Sequence, residues 1–231
     1  MRRAKIVCTL GPASSSKEVI RKMVEAGMDV ARLNFSHGTH EDHRQIYETV
    51  REVSKEVGRS VAILQDLQGP KIRVGTFESG PIQLEDGDSF TITNRDVPGD
   101  ADEVSTTYAS LPQDVESGDI LLVDDGLIRL EVVEVTETDV ETVVLVGGPL
   151  SDNKGINLPT SSISAPSLTE KDKRDLEYGI ELGVDYVALS FVRSALDIHQ
   201  LKALMPEGEE HPIRVISKIE KPQAITELED I

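Results

Sequence analysis

Apolar positions along the chain change their spacing twice, and the changes divide it into three stretches. Residues 4 to 67 alternate short apolar runs with helical patterns. "KIVCTLG" reads as a strand. In "SSSKEVIRKMVEAG", Val19, Ile20, Met23 and Val24 recur at helical spacing, with serines in front as caps and Gly27 as the stop. "DVARLNFS" is a second strand. "HEDHRQIYETVREVSKEVG" carries Ile46, Val50, Val53 and Val57 on one helical face and stops at Gly58, and "VAILQDL" is a third strand. This rhythm predicts parallel strands joined by crossover helices.

From 68 to 163 the period becomes two, in segments such as "PIQLEDGDSFTIT" and "DILLVDDGLIRLEVVEV". Such alternation between turn signals predicts an antiparallel β domain inserted into the first one. Asp124 and Asp125 in "VDDG" read as a hairpin turn, and "NLPTSSISAPS" as a Pro/Ser-rich exit linker. The α/β pattern returns over 164–231. A helix runs from a Thr169 cap to Gly183, "VDYVALSF" is a strand, and "SALDIHQLKALM" is a helix with Leu201 and Leu204 facing inward. "EGEEH" is a solvated loop, "IRVISKIE" a fifth strand, and "KPQAITELEDI" opens a further helix.

Composition narrows the classes. The 231 residues suffice for one large domain or two modest ones, and with 38% hydrophobic and 3% aromatic residues the core is built from Val, Ile, Leu and Ala. No apolar run approaches the ~20 residues of a membrane span, and Arg2 and Arg3 have no long apolar segment behind them. Cys8 is the only cysteine, which excludes a disulfide scaffold and predicts a cytoplasmic protein in which Cys8 is a small core residue. The net charge of -18 argues against a nucleic-acid face, and the scattered carboxylates favour a salt-adapted host over an ordinary acidic cytosolic protein.

Candidate chemistry concentrates where the parallel strands end, the rim at which α/β sheets bind ligands. By parity Arg32, Asn34 and Ser36 share one face of the second strand, and Ala31, Leu33 and Phe35 the other. Asp66 closes the third strand, with Lys71 and Arg73 after the turn. Ser190 and Phe191 close the fourth, and Lys218 and Glu220 end the fifth on one side. Guanidinium forks and ammonium groups suit phosphate oxygens, and a lone carboxylate among them suits Mg²⁺ bound jointly with phosphate. Phosphoryl transfer needs that combination. Neither a Walker loop nor a G-x-G-x-x-G is present. Against this stands a plain structural ion pair between Lys218 and Glu220. His37, His40 and His43 are expected to be solvated residues at a turn and helix start rather than a metal cluster.

"KIVCTLGPAS", "ARLNFSHGTHEDH", "DLQGPKIR", "DDGLI", "KGINLP", "LTEKDKRDL", "VDYVALSFVR" and "SKIE" lie collinearly from near residue 4 to the last residue, and together they resemble pyruvate kinase. The resemblance implies an α/β fold: a TIM (β/α)₈ barrel of which about five strands are here, as a partial barrel over 1–67 and 164–231. The inserted antiparallel β domain over 68–163 would be a β-barrel-like lid. It implies transfer of the phosphoryl group of phosphoenolpyruvate to ADP, giving pyruvate and ATP. Arg32 would hold the substrate phosphate and Lys218 would stabilise the transferring group, with Ser190 and Phe191 beside the substrate. Asn34, Phe35, Ser36, His37, Arg73 and Lys154 would meet the nucleotide. Glu220 would ligate Mg²⁺, and Asn34, Ser36 and Asp66 correspond to a monovalent-cation site. K⁺-dependent members carry Glu at the position of Lys71 and Thr at that of Leu67, so the resemblance is to the K⁺-independent branch, with the Lys71 ammonium in place of K⁺. Five strands do not close a barrel, and a "VARGDLG"-like stretch with a second carboxylate for Mg²⁺ is absent. The chain is therefore expected to be the N-terminal portion of a longer, homo-oligomeric (tetrameric) protein and inactive or nearly so alone. No nucleic acid and no membrane are expected as partners. The competing functions are a Mg²⁺-dependent phosphoenolpyruvate/pyruvate lyase or aldolase, and a binding fragment without turnover.

Overall fold

The computed structural model describes residues 4–159, 164–206, 208 and 212–231. Residues 160–163 of the expected exit linker, and most of the expected "EGEEH" loop, lie outside the described residues. In chain order the elements are β1 (Val7–Leu10), α1 (Lys17–Ala26), β2 (Val30–Asn34), α2 (His40–Val57), β3 (Ala62–Asp66), β4 (Ile82–Leu84), β5 (Ser89–Thr93), β6 (Glu103–Ser105), α3 (Leu111–Asp114), β7 (Ile120–Val123), β8 (Ile128–Val135), β9 (Asp139–Val146), β10 (Gly148–Leu150), β11 (Ile156–Asn157), α4 (Glu170–Leu182), β12 (Tyr186–Leu189), α5 (Ala195–Lys202), β13 (Arg214–Ser217) and α6 (Pro222–Thr226). They form two compact units, Met1–Pro70 with Pro166–Ile231, and Lys71–Ala165.

The first unit is a five-stranded sheet in the order β1-β2-β3-β12-β13, parallel throughout. Alternation along β2 sends Ala31 and Leu33 into the core, where Ile20 and Val24 of α1, Val50 and Val53 of α2, Leu176 of α4 and Leu201 of α5 cover the sheet. Helix ends follow the sequence signals. Ser16 accepts from the Val19 N–H, Thr39 with Asp42 and Thr169 with Asp172 form capping boxes, and Gly27, Gly58 and Gly183 close their helices in the left-handed region. Each such N-cap is worth ~1 kcal/mol.

Gly179 lets α4 lie against β3. A Cβ there would stand 2.1 Å from Gln65 Oε1, and Gln65 is fully buried with its amide nitrogen donating to the Asp175 carbonyl at 2.6 Å. Leu204 does not face inward as its pattern predicts. α5 ends at Lys202, the Leu204 N–H turns back to the Leu201 carbonyl, and the side chain is exposed. Among the described residues β1 and β13 each pair on one side only, and Val7 and Ile216 expose apolar side chains. The sheet is thus an open, partial barrel; closure would remove both edges.

The second unit holds a six-stranded sheet, β11-β7-β8-β9-β5-β6, and the pair β10-β4, around Phe90, Ile92, Leu121 and Leu130. Its pairings are antiparallel except β5 with β6, which run parallel because residues 94–102 carry the chain back across before β6 begins. Asp124 and Asp125 turn β7 into β8 at φ 52 and 56, as the hairpin reading predicts. Among the described residues no helix is long and apolar enough to cross a membrane.

Candidate active site

Five strand ends of the first unit meet around one carboxylate. Asp66, the last residue of β3, is 3% exposed. Its Oδ2 accepts from Arg32 Nε at 2.7 Å and from Arg32 Nη2 at 2.5 Å, and its Oδ1 lies 3.3 Å from Lys218 Nζ. The Lys218 ammonium also donates to Ser190 Oγ at 2.9 Å, and that hydroxyl donates to the Leu67 carbonyl at 2.7 Å. Glu220 Oε1 stands 3.4 Å from Lys218 Nζ, so the two charges that end the fifth strand do meet. Arg32 Nη1 reaches Thr9 Oγ1 of β1 at 2.7 Å.

Two cations held this close repel each other unless a carboxylate lies between them, and a buried carboxylate is tolerable only when paired. Asp66 therefore sets the direction of both Arg32 and Lys218. The guanidinium has five N–H donors, more than Asp66 and Thr9 use, so it retains donors for a ligand anion. The backbone is fixed beside it. Phe191 takes φ 56, and its N–H donates to Glu220 Oε2 at 3.0 Å. A side chain is excluded from Gly69, where a Cβ would lie 2.7 Å from the Phe191 ring and φ is +70. A bulky residue in the left-handed region stores strain that the surroundings must hold.

The β2–α2 turn stands next to this group. Asn34 Oδ1 accepts from the Ser36 N–H at 3.1 Å, and the His37 N–H bonds back to the Asn34 carbonyl. Thr9, Leu10, Pro12, Asn34, His37 and His43 line a cleft of about 840 Å³ here. The expectation of solvated histidines holds for His37 and His40, both exposed, and fails for His43. His43 is buried, stacks on Phe35 with ring centres 4.0 Å apart, and points Nε2 at the His37 carbonyl at 3.0 Å. Burial pushes its pKa down, against the pull of the nearby carboxylates of Asp175 and Asp42. His40 stacks on Tyr178 and bonds Asp175 at 2.8 Å. Only the His43 ring is drawn inward, onto Phe35; the His40 side chain stays exposed beside Tyr178. Phe35 itself is buried, so its ring belongs to the core rather than to the cleft.

Of the residues singled out in the sequence, Arg32, Asp66, Ser190, Lys218 and Glu220 are in mutual contact, with the Phe191 N–H on Glu220, and Asn34, Ser36 and His37 form the adjoining turn. Lys71, Arg73 and Lys154 belong to the second unit. There Lys154 Nζ pairs with Asp124 Oδ1 at 2.9 Å, and Arg73 Nη1 donates to the Asn153 carbonyl at 2.6 Å. Burial and the Arg73 charge lower the Lys71 pKa, while Asp125 opposes them. Thr9 was missed, although its place as a polar residue within an apolar strand was a signal. Among the described residues no group of three His, Cys, Asp or Glu side chains could hold a metal by themselves. Glu220 fits Mg²⁺ in the form that needs one or two carboxylates beside ligand phosphates, and the oxygens of Asn34, Ser36 and Asp66 are hard donors suited to a monovalent cation.

An open parallel β/α sheet here gathers at its strand ends a guanidinium, an ammonium and two carboxylates, the arrangement of an α/β protein with a polar, charged rim suited to anionic oxygens. The family profile described as pyruvate kinase, barrel domain, matches residues 1–231. The chain is 54% identical over 230 residues to a pyruvate kinase of Corynebacterium glutamicum, covering 100% of this chain and 48% of that protein. It is 52% identical over 231 residues to one of Mycobacterium tuberculosis (100% and 48%) and 44% identical over 232 residues to one of Geobacillus stearothermophilus (100% and 40%). The chain belongs to the pyruvate kinase family, and it spans about half the length of the curated relatives it matches.

Proposed function

We propose that this chain carries the phosphoenolpyruvate-binding and phosphoryl-transfer groups of a pyruvate kinase. The observation that bears most weight is the shared hold of Asp66 on Arg32 and Lys218. In this reading Arg32 takes the phosphate oxygens of phosphoenolpyruvate in its planar fork. The Lys218 ammonium neutralises charge as the phosphoryl group passes to ADP, an electrostatic role that grows in the transition state. Ser190 and Asp66 keep the ammonium aimed. Glu220 would hold Mg²⁺, which supplies Lewis-acid neutralisation of the phosphate oxygens when bound. Asn34, Ser36 and His37 would meet the nucleotide beside the cleft. Arg73 and Lys154 of the second unit offer a guanidinium and an ammonium for anionic oxygens. Lys71, standing where K⁺-dependent relatives carry Glu, is proposed to make K⁺ dispensable. The setting would be cytoplasmic and the complete gene product a homo-oligomer.

The test is a coupled assay of pyruvate formation from phosphoenolpyruvate and ADP by the complete gene product, with and without K⁺ at matched ionic strength. ADP-dependent pyruvate in both conditions supports the reading. Pyruvate formed without ADP favours a lyase, no turnover with intact ligand binding favours a binding protein, and loss of most activity without K⁺ overturns the role of Lys71.

A further inference from the structure

Asp175 is a buried carboxylate for which the proposed reaction has no use. Its side chain is 5% exposed and lies in the middle of α4, among helices rather than at a strand end. Two donors satisfy it: Lys171 Nζ at 2.5 Å on Oδ2, and His40 Nε2 at 2.8 Å on Oδ1. The same Lys171 ammonium donates to the carbonyl of Phe35 at 2.8 Å, the residue that opens the β2–α2 turn. His40, the first residue of α2, closes that turn. The Tyr178 hydroxyl, also on α4, donates to the His40 carbonyl at 2.9 Å, and the two rings stack. One helix thus grips both ends of the turn through polar groups, while Ser36 and His37 between the grips stay open to solvent or cleft.

Stability alone does not explain this arrangement. Burying a carboxylate costs desolvation, and its pairing with a half-exposed lysine is commonly no more stabilising than apolar contact. Apolar side chains would hold α4 to α2 equally well, but they could not fix the orientation of a chosen carbonyl. A lysine tethered by a carboxylate one helical turn away does so, because the tether restricts the ammonium to the Phe35 oxygen.

We propose that Lys171 and Asp175 are positioning residues that set the β2–α2 turn for the nucleotide, Asp175 acting through Lys171 and neither touching the ligand. The inference rests on the proposed reading of Asn34, Ser36 and His37 as nucleotide-facing.

In the complete gene product, Asp175→Asn is expected to raise KM for ADP about tenfold, a free-energy change of about 1.4 kcal/mol. The values of kcat and of KM for phosphoenolpyruvate should stay within about twofold. Lys171→Gln should match it, the double variant should add nothing further because both act on one carbonyl, and Lys171→Arg should restore most of the loss. Lowered melting temperatures with an unchanged KM for ADP would overturn the proposal. Should Asp175→Asn fail to fold, Lys171→Gln, at a half-exposed side chain, carries the test. Should the wild type fail to transfer phosphoryl groups at all, the functional reading falls by itself. Amide hydrogen exchange at Ser36, His37 and Gly38 then decides the inference: faster exchange in Lys171→Gln supports it and unchanged exchange overturns it.

Discussion

The two rims of the parallel sheet carry similar charges arranged for different ends. At the rim where strands begin, each carboxylate holds backbone. Asp185 accepts from the Ile63 N–H at 2.6 Å and pairs with Arg51 at 2.9 Å, while Asp29 accepts from the Ile6 N–H at 2.8 Å and pairs with Arg59 at 3.0 Å. Arg51 extends the staple to the carbonyls of Val61 and Gly183. At the rim where strands end, Asp66 binds side chains instead, Arg32 and Lys218. Removing a carboxylate at the first rim leaves a backbone donor unmatched, part-buried at Ile63 and exposed at Ile6, and the cost rises with the burial. Exchanging the partners of Asp66 involves side chains, although Glu220 beside them holds the Phe191 N–H, so an incoming anion can share the cations without unfolding a strand. Equal numbers of ion pairs on a sheet do not mean equal roles; what the carboxylate grips decides.

That contrast breaks if the two rims respond alike to mutation. The largest effect is expected for Lys218→Met in the complete gene product: a fall in kcat of about 10²–10³-fold, the range for removing one preorganised electrostatic group. Its denaturant midpoint should stay close to wild type, and a near-normal kcat removes Lys218 from the chemistry. Asp185→Ala should do the reverse, costing about 1–3 kcal/mol in urea unfolding for the orphaned Ile63 N–H with kcat/KM little changed.

A smaller effect tests the packed turn beside the site. Burial holds the His43 pKa below its unfolded value, so as pH falls the unfolded chain takes up this proton first. The stabilisation is complete above the ordinary imidazole range, near ~6.5, and is lost as pH drops through that range toward the lower folded value. His43→Gln should therefore show a shallower loss of unfolding free energy between pH 7.5 and 5.5 than wild type, and equal slopes would remove His43 as the source. The smallest effect concerns the net charge of -18. Raising NaCl from 0.1 to 1 M shortens the screening length from about 10 to 3 Å, which should raise the melting temperature; a fall would speak against self-repulsion as a cost to this fold.

Much of this was legible because several signals agreed. Serine caps before α1, the Thr169 cap, stops at Gly27, Gly58 and Gly183, and apolar periodicity located the helices, while the Thr39 cap emerged with the structure. Polar residues at the ends of apolar runs located the rim. Partnership was not legible, because it depends on which strands lie side by side. Asp66 as common counter-charge to Arg32 and Lys218 requires the β3-β12-β13 order. Gly179 reads as a weak point in a helix until Gln65 is seen beneath it. Lys171 and Asp175 read as an ordinary surface pair one turn apart, and only the packing of α4 over the β2–α2 turn buries the carboxylate. Leu204 kept its helical spacing one residue beyond the cap, where spacing no longer determines direction.

The most direct measurement is calorimetric titration of phosphoenolpyruvate with Mg²⁺ into the complete gene product and three single variants. Wild type should bind saturably. Arg32→Gln and Lys218→Met should each weaken binding at least about tenfold, a loss of about 1.4 kcal/mol, while Arg51→Gln on the opposite rim should leave it unchanged. Unaltered affinity in Arg32→Gln, or equal losses at both rims, would contradict the assignment of the strand-end charges to a phosphorylated ligand.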